Sequence, residues 1–494
     1  MHVWSYTKSG ERQYNVIPYV PNFFISTNIK NGKLTDIYGK GVKEQCCQSY
    51  FGSFSKAKKY IELGNTVFES DITPEIKYLV DEFASFKIDL SENMPAFDVM
   101  YIDIETEIGD GFPDIQNPLN KINLITIYST IKKKFVTFGL CNDFTMVKDN
   151  HEYIKCDNEI ELFNEFIKYY VVNIPDVICG YYSDGFDIPY LIRRYYKLFG
   201  SDANNFLSPV GKVYFNDRIE KFVIEGVTCF DYLEMYKKFL KGCGRDVPSY
   251  TLDSVAQHEL GIGKGKVDTG GSLRELMEND WQTFVEYNVR DVEILLELEK
   301  KIGIMELSFA VCYKCRIPFK YYDSSLIQHT GLFLQEGRKR NFVLPNRPQE
   351  HQDWGMYSGG YVMDPIRGRH EFVTYWDVAS MYPHIIMMNN ISPDSKIGVI
   401  SYGKKDVMDV LNGIQNSSDV GLIINGKNKN MSAVQAAEII KKNKFHVSSN
   451  GLITSNKTGF IVDIMNEWYE NRKKIKAEMR TAGKDKEKYY TMRD

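Results

Sequence analysis

Residues 99–107 read VMYIDIETE, and the interpretation of the whole chain turns on them. Four apolar or aromatic residues run into Asp103, Glu105 and Glu107, carboxylates at every second position. Alternation is the period of a strand, so all three project to one face. Anions so close repel unless a cation sits among them. A single D-x-E pair is ordinarily a solvated strand face, but two later stretches change the balance. GYYSDGFDIPY (180–190) places Asp187 directly after Phe186, where a strand gives way to a helix. YNVRD (287–291) puts Tyr287 and Asp291 four apart, on one face of a helix. Asp103, Glu105, Asp187 and Asp291 can then converge. Oxygen-only donors suit Mg²⁺ or Mn²⁺ rather than Zn²⁺. Two such ions about 4 Å apart clamp the attacking and leaving oxygens of a phosphoryl displacement. Tyr287, one turn before Asp291, is placed to orient the attacking water. Glu107 is expected at the rim and is given no chemistry.

The bulk properties set wider bounds. A length of 494 residues suggests about three domains, with ample material for buried cores. Net charge is −4, so no global field announces a nucleic-acid partner, although a local basic groove would be enough. The nine cysteines lack disulfide-like spacing. Cys312 and Cys315 form a lone C-x-x-C in a mostly apolar run and read as buried helix thiols rather than a metal site. The N-terminus MHVWSYTKSGERQY has no apolar signal core, and no run reaches membrane-spanning length. A cytoplasmic protein is expected.

Up to about residue 97 the pattern suggests short strands and turns, with a helix near 55–63. FDVMYIDIE, INLITIYS and KFVTFGL follow as strands. Next come a helix in NEIELFNEFIKYYVV, a strand in DVICGYY and a helix in FDIPYLIRRYYKLF. EGVTCFDYLEMYKKFL reads as a strand running into a helix, and further helices follow to about residue 303. This order predicts a mixed α/β sheet with helices packed against it. Beyond lie a helical, tyrosine-rich stretch, a strand in FVTYWDV (372–378), a polar region over 412–457 and a charged helix over 461–480.

DIETE, GFDIPY and YNVRD resemble, in order, the Exo I, Exo II and Exo III motifs of the proofreading exonuclease of family B DNA polymerases, the DEDD class with a tyrosine. The resemblance implies an RNase H-like 3′–5′ exonuclease domain with a mixed sheet, an N-terminal mixed domain and an incomplete palm and fingers. It makes Asp103, Glu105, Asp187 and Asp291 ligands of two Mg²⁺ or Mn²⁺ ions. Exo II departs from the family at one place. N-x-x-x-F-D has Tyr182 where the asparagine belongs, so the ligand survives and the amide contact to the primer end does not. DGFP (110–113) is similar to the phage form, which makes Phe112 a stacking platform; a turn aromatic covering the core is the other reading.

A second set of motifs lies C-terminal. YWDVASMYPHII (375–386) resembles polymerase motif A, D-x-x-S-L-Y-P, with Met381 for leucine. The likeness implies a palm metal held by Asp377 and the Val378 carbonyl, and a steric gate at Tyr382. YSGG (357–360) resembles the linker motif that lets Tyr357, Gly359 and Gly360 approach DNA. NRKKIKAEM (471–479) looks like the first fingers helix, whose Arg472 and Lys476 grip the incoming triphosphate. DYLEMYKKF, PSYTLD and NNISPD favour the T-even bacteriophage branch. GIGKGKV (261–267) is not a Walker loop and reads as a turn.

The domains expected are 1–97 (N-terminal), 98–303 (exonuclease), 304–348 (return to the N-terminal domain), 349–458 (partial palm) and 459–494 (start of the fingers). Motif B (K-x-x-x-N-S-x-Y-G) and motif C (D-T-D) do not occur. One palm carboxylate does not hold two metals. The expectation is therefore the N-terminal part of a replicative polymerase with a working 3′→5′ exonuclease. A second polypeptide would supply motifs B and C, and a sliding clamp would be reached through it. Primer–template, single-stranded DNA and dNTP are the expected partners, with no membrane, in the cytoplasm of an infected bacterial host if the protein is viral. The competing readings are a truncated fragment, a stand-alone exonuclease with a vestigial palm, and a non-catalytic DNA-binding subunit. A metal-independent carboxylate-pair glycosidase is remote.

Overall fold

The computed structural model describes the chain apart from residues 8–10, 28–33, 48, 87–96, 108, 110, 141, 147, 201–202, 244–245, 263–272, 348–359, 401–403, 415–417, 425–426 and 482–494. Tyr357 and Gly359, Asp110 and most of the 261–267 turn thus lie outside the described residues. Two compact units are built, one from residues 1–19 and 86–331, the other from 20–85 and 332–494.

The first unit is organised by a six-stranded sheet. Its strands are β1 (Val99–Thr106), β2 (Ile122–Ser129), β3 (Lys134–Leu140), β4 (His151–Cys156), β5 (Val177–Gly180) and β6 (Thr228–Asp231), in the order β4-β3-β2-β1-β5-β6. β1 runs antiparallel to β2, and β2 to β3; β4 is parallel to β3, and β5 is parallel to both β1 and β6. Crossover connections through helices account for the parallel side. α1 (Glu159–Val172) precedes β5, and α2 (Asp187–Phe199) follows it. The 22-residue α3 (Trp281–Ile302) lies against β1 and β2. Helices cover the sheet, so the central strands are buried almost throughout, as Val99–Ile102 and Ile122–Ile127 show. A buried ion pair ties the layers together. Arg194 of α2 donates twice to Glu159 of α1, at 2.8 and 2.6 Å, and Glu159 also accepts the Ile122 N–H of β2 at 2.8 Å.

Cys312 and Cys315 are buried on the helix Ile304–Cys315, as the pattern suggested. Burial pushes their thiols up, to about 12 and about 11. Such thiols are neutral packing groups.

The second unit gathers the strands Asn22–Ser26, Val42–Cys46 and Val67–Phe68 and the helices Tyr50–Glu62 and Pro74–Phe83 from the N-terminal stretch. Glu69 is almost fully buried here and accepts two bonds from Arg338, at 2.9 and 2.6 Å. Lys77, equally buried, lies 3.6 Å from the same carboxylate. This cluster clips residue 338 to the N-terminal stretch. Burial alone would raise the Glu69 carboxyl, but Arg338 and then Lys77 hold it below its usual range.

The C-terminal part differs from expectation in two places. FVTYWDV forms no strand. Val373, Tyr375 and Trp376 are 76–89% exposed, and among the described residues no strand pairs with them. Strand propensity is local, but a ladder needs a neighbour, and β-rich composition cannot supply one. Conversely, the polar 412–457 region contributes to a five-stranded antiparallel sheet. Its strands are β7 (Lys396–Ile400), β8 (Asp419–Ile424), β9 (Lys427–Ser432), β10 (His446–Val447) and β11 (Leu452–Thr454), ordered β9-β8-β7-β11-β10. Helices α5 (Lys404–Leu411) and α6 (Ala433–Asn443) share with it the core of Val407, Leu422, Ala436, Ile440 and Ile453. The lysine-rich β9 is an edge strand, where lysine discourages pairing with other chains.

The clip at Glu69 gives a stability prediction. Arg338→Met leaves a buried carboxylate without its main partner, which should cost about 3–5 kcal/mol. Urea unfolding of the full chain measures this; a loss under about 1 kcal/mol would show that the cluster is not a clip.

Candidate active site

β1 delivers the first two carboxylates. It pairs with β2 and β5 on either side, so its backbone is fixed, and Asp103 and Glu105 emerge half-buried on one face. α3 delivers the third. Its N-cap Asp280 accepts the Thr283 N–H, and ten positions into the helix Asp291 is buried toward β1. Oxygens of Asp103, Glu105 and Asp291 all lie within 4.8 Å of one another. Tyr287 is half-buried one turn earlier on the same face of α3. The donor set is all carboxylate, as a hard divalent cation requires, and three anions this close are stable together only with positive charge among them. The residues present fit such an ion.

Asp187 is not one of this trio but is held against the same strand. Its Oδ1 accepts the N–H of Ile104, between Asp103 and Glu105, at 3.2 Å. β5 ends beside β1 at Gly180, where an added Cβ would lie 2.7 Å from Ser183 Cβ and 3.1 Å from the Ile102 carbonyl oxygen. Only glycine permits that approach. The chain then turns through residues 181–186 into α2, and Asp187 opens the helix. Burial above all, with Asp231 and Asp291 adding to it, pushes the Asp187 carboxyl from 3.8 up to about 7.

Two residues escaped the sequence reading. Asn288, fully buried beside Tyr287, donates its Nδ2 to Asp103 Oδ2 at 2.5 Å. Its place inside YNVRD was the available signal. Asp231 ends β6 and is fully buried. One of its oxygens accepts the Asp184 N–H in the 181–186 turn, and the other accepts the Glu234 N–H, both at 3.1 Å. Burial first, and then Asp184, pushes its carboxyl up to about 6. Like Asp187, it sits where a strand becomes a helix, a signal present in CFDYLE.

Glu107 is exposed just past the strand. Phe112 is 77% exposed, so it does not cover the core; its ring lies 5.2 Å from that of Phe186. Asp377 and Val378 lie in the exposed, unpaired segment rather than at a strand end. Tyr382 is exposed in the first turn of α4 (Met381–Met388), and Arg472 and Lys476 share an exposed face of α7 (Phe460–Thr481). These two helices meet through the edge-to-face rings of His384 and Tyr469, 4.8 Å apart. Gly360 is exposed with open space around it.

Comparison with known proteins adds a family to this geometry. Residues 12–255 match the exonuclease domain of DNA polymerase family B, and residues 317–493 match DNA polymerase family B itself. The chain belongs to DNA polymerase family B. The six-stranded mixed sheet is accordingly the RNase H-like sheet of that exonuclease domain. The chain is 27% identical to the DNA-directed DNA polymerase of Escherichia phage RB69 over 427 residues, which is 79% of this chain and 45% of the relative. Similarity to the DNA-directed DNA polymerase of Enterobacteria phage T4 is 26% over 429 residues, 78% of this chain and 45% of the relative. A DNA polymerase of Thermococcus litoralis is 30% identical over 257 residues, 48% of this chain and 14% of the relative. The chain thus spans about 45% of the length of the phage relatives it matches. No helix among the described residues is long and apolar enough to cross a membrane.

The raised carboxyls predict a pH dependence. Asp187 and Asp231 hold protons more tightly folded than unfolded. Their stabilising contribution is complete below the ordinary carboxyl range and is lost as pH rises through about 6 to 7. In chelator, the melting temperature should fall from pH 5 to pH 8, and Asp187→Asn should flatten that fall. Adding Mg²⁺ at pH 8 should restore stability to the unmutated chain. An Asn variant with an unchanged slope would show that Asp187 is not the titrating group.

Proposed function

We propose that this chain acts as the N-terminal part of a replicative DNA-directed DNA polymerase and carries a metal-dependent 3′→5′ proofreading exonuclease in residues 98–303. One observation carries the reading: Asp103 and Glu105 from a strand meet Asp291 from a helix within 4.8 Å, inside the region matching the family B exonuclease domain. Mg²⁺ or Mn²⁺ ions, two per site, would supply Lewis-acid stabilisation of the phosphodiester and a nucleophilic water. The chain's own residues do the positioning. Asp103, Glu105, Asp187 and Asp291 would hold the ions. Asn288 fixes the orientation of Asp103, and the Ile104 N–H fixes Asp187. The Tyr287 hydroxyl holds the water for attack in line with the departing 3′ nucleotide. Phe112, exposed beside Phe186, stacks on the terminal base.

In the polymerase part, Asp377 and the Val378 carbonyl are read as palm metal ligands and Tyr382 as the gate that excludes a 2′-OH. Arg472 and Lys476 are read as triphosphate contacts, and Tyr357, Gly359 and Gly360 as DNA contacts. Synthesis then requires the motif B and motif C residues, from a second polypeptide or a continuation of this one, with any sliding clamp contacted through that part. The setting is the cytoplasm of an infected bacterial host.

Digestion of a labelled single-stranded oligonucleotide tests the reading. The chain should shorten it from the 3′ end in Mg²⁺ and stop in chelator. Asp103→Ala should slow this by orders of magnitude, whereas Asp377→Ala should leave it unchanged. Tight DNA binding without hydrolysis in Mg²⁺ or Mn²⁺ would point instead to a non-catalytic DNA-binding subunit.

A further inference from the structure

We infer that Tyr182 forms a stacking subsite for an unpaired nucleobase at the 3′ end of the DNA, at the Exo II position where the family pattern has asparagine. The inference rests on the exonuclease reading above. It begins with backbone strain. Tyr182 has φ +61°, the left-handed region that asparagine and glycine tolerate and a bulky aromatic residue rarely adopts. The surrounding bonds impose this conformation. The Tyr182 carbonyl accepts the N–H groups of both Gly185 and Phe186, each at 3.0 Å, and this closes the turn that places Asp187. The turn therefore suits asparagine better than tyrosine.

Burial of the ring does not offset the strain, because Tyr182 stays 47% exposed. The ring instead lies over Gly185. A Cβ added to Gly185 would fall 2.2 Å from Tyr182 Cζ, so one side of the ring rests on backbone that only glycine leaves clear. A ring supported on one side and half-exposed to water is built as a platform for another flat group. Phe186, bonded to the Tyr182 carbonyl, packs 5.2 Å from the exposed Phe112. A nucleobase is the flat group that a 3′ exonuclease meets at this turn, five residues before Asp187. Stacking tolerates any base, so it can replace a lost amide contact without adding sequence preference.

Steady-state kinetics on single-stranded oligonucleotides ending in a normal or an abasic 3′ nucleotide test this. The unmutated chain should show a KM about tenfold higher for the abasic end, within the range of one base–aromatic stack. Tyr182→Phe should behave the same. Tyr182→Leu and Tyr182→Asn should raise KM for the normal end about tenfold, reduce discrimination against the abasic end to what Phe112 alone supports and keep kcat within about twofold. Tyr182→Asn should also melt no lower than the unmutated chain, since asparagine suits the turn. Unchanged KM and discrimination in Tyr182→Leu would overturn the proposal. So would a collapse of kcat at constant KM, which would make the ring a support for Asp187. If the unmutated chain fails to hydrolyse DNA, the exonuclease reading fails separately. The same comparison of normal and abasic ends, read as binding by fluorescence anisotropy, then decides the role of Tyr182.

Discussion

Asp187 is a carboxylate with almost no water around it, and much of the first unit exists to keep it there. Its oxygen takes the Ile104 N–H between the two acidic residues of β1, so the Exo II turn and the central strand become one rigid piece. The glycine at the end of β5 lets the two segments come that close. Asp231 reaches in from β6 and fixes the same turn through the Asp184 N–H. The result is a nest of acidic groups that the fold assembles against their mutual repulsion, which a cation would relieve. Stability without metal and affinity for metal are thus two sides of one arrangement.

A different solution to buried charge appears twice elsewhere. Glu159 with Arg194, and Glu69 with Arg338, are bidentate pairs whose partners are far apart in the chain. Each carboxylate also accepts a backbone N–H, from Ile122 and Leu344 respectively. A fully satisfied pair of this kind specifies which segments meet, because misplacing either partner strands a charge. In the second unit this matters most, because that unit is assembled from stretches more than 240 residues apart in sequence. Oppositely charged pairs hold the fold together, and carboxylates gathered within 4.8 Å of one another mark the candidate site.

How much of this could be read from the sequence follows from the range of each interaction. VMYIDIETE announced its strand because alternation and burial are local, and YNVRD its helix face for the same reason. The junction at Asp187 was visible because a strand-like run meets a helical one there. Asn288 and Asp231 were passed over although YNVRD and CFDYLE held them, since the first is uncharged and the second reads as an ordinary acid at a helix start. FVTYWDV was misjudged because pairing partners cannot be inferred from composition, and β7–β11 were missed because a lysine- and asparagine-rich edge masks a small core. The left-handed turn at Tyr182 was hidden as well, because tyrosine is the residue least expected to adopt it.

That turn also constrains how the sequence can drift. With the ring seated over Gly185, a Cβ at 185 would fall 2.2 Å from its Cζ, so a side chain there requires the ring to swing away. A substitution at 185 is therefore felt first at the ring of Tyr182. Two positions three residues apart are thus coupled, so that the residue at one decides where the side chain at the other can lie.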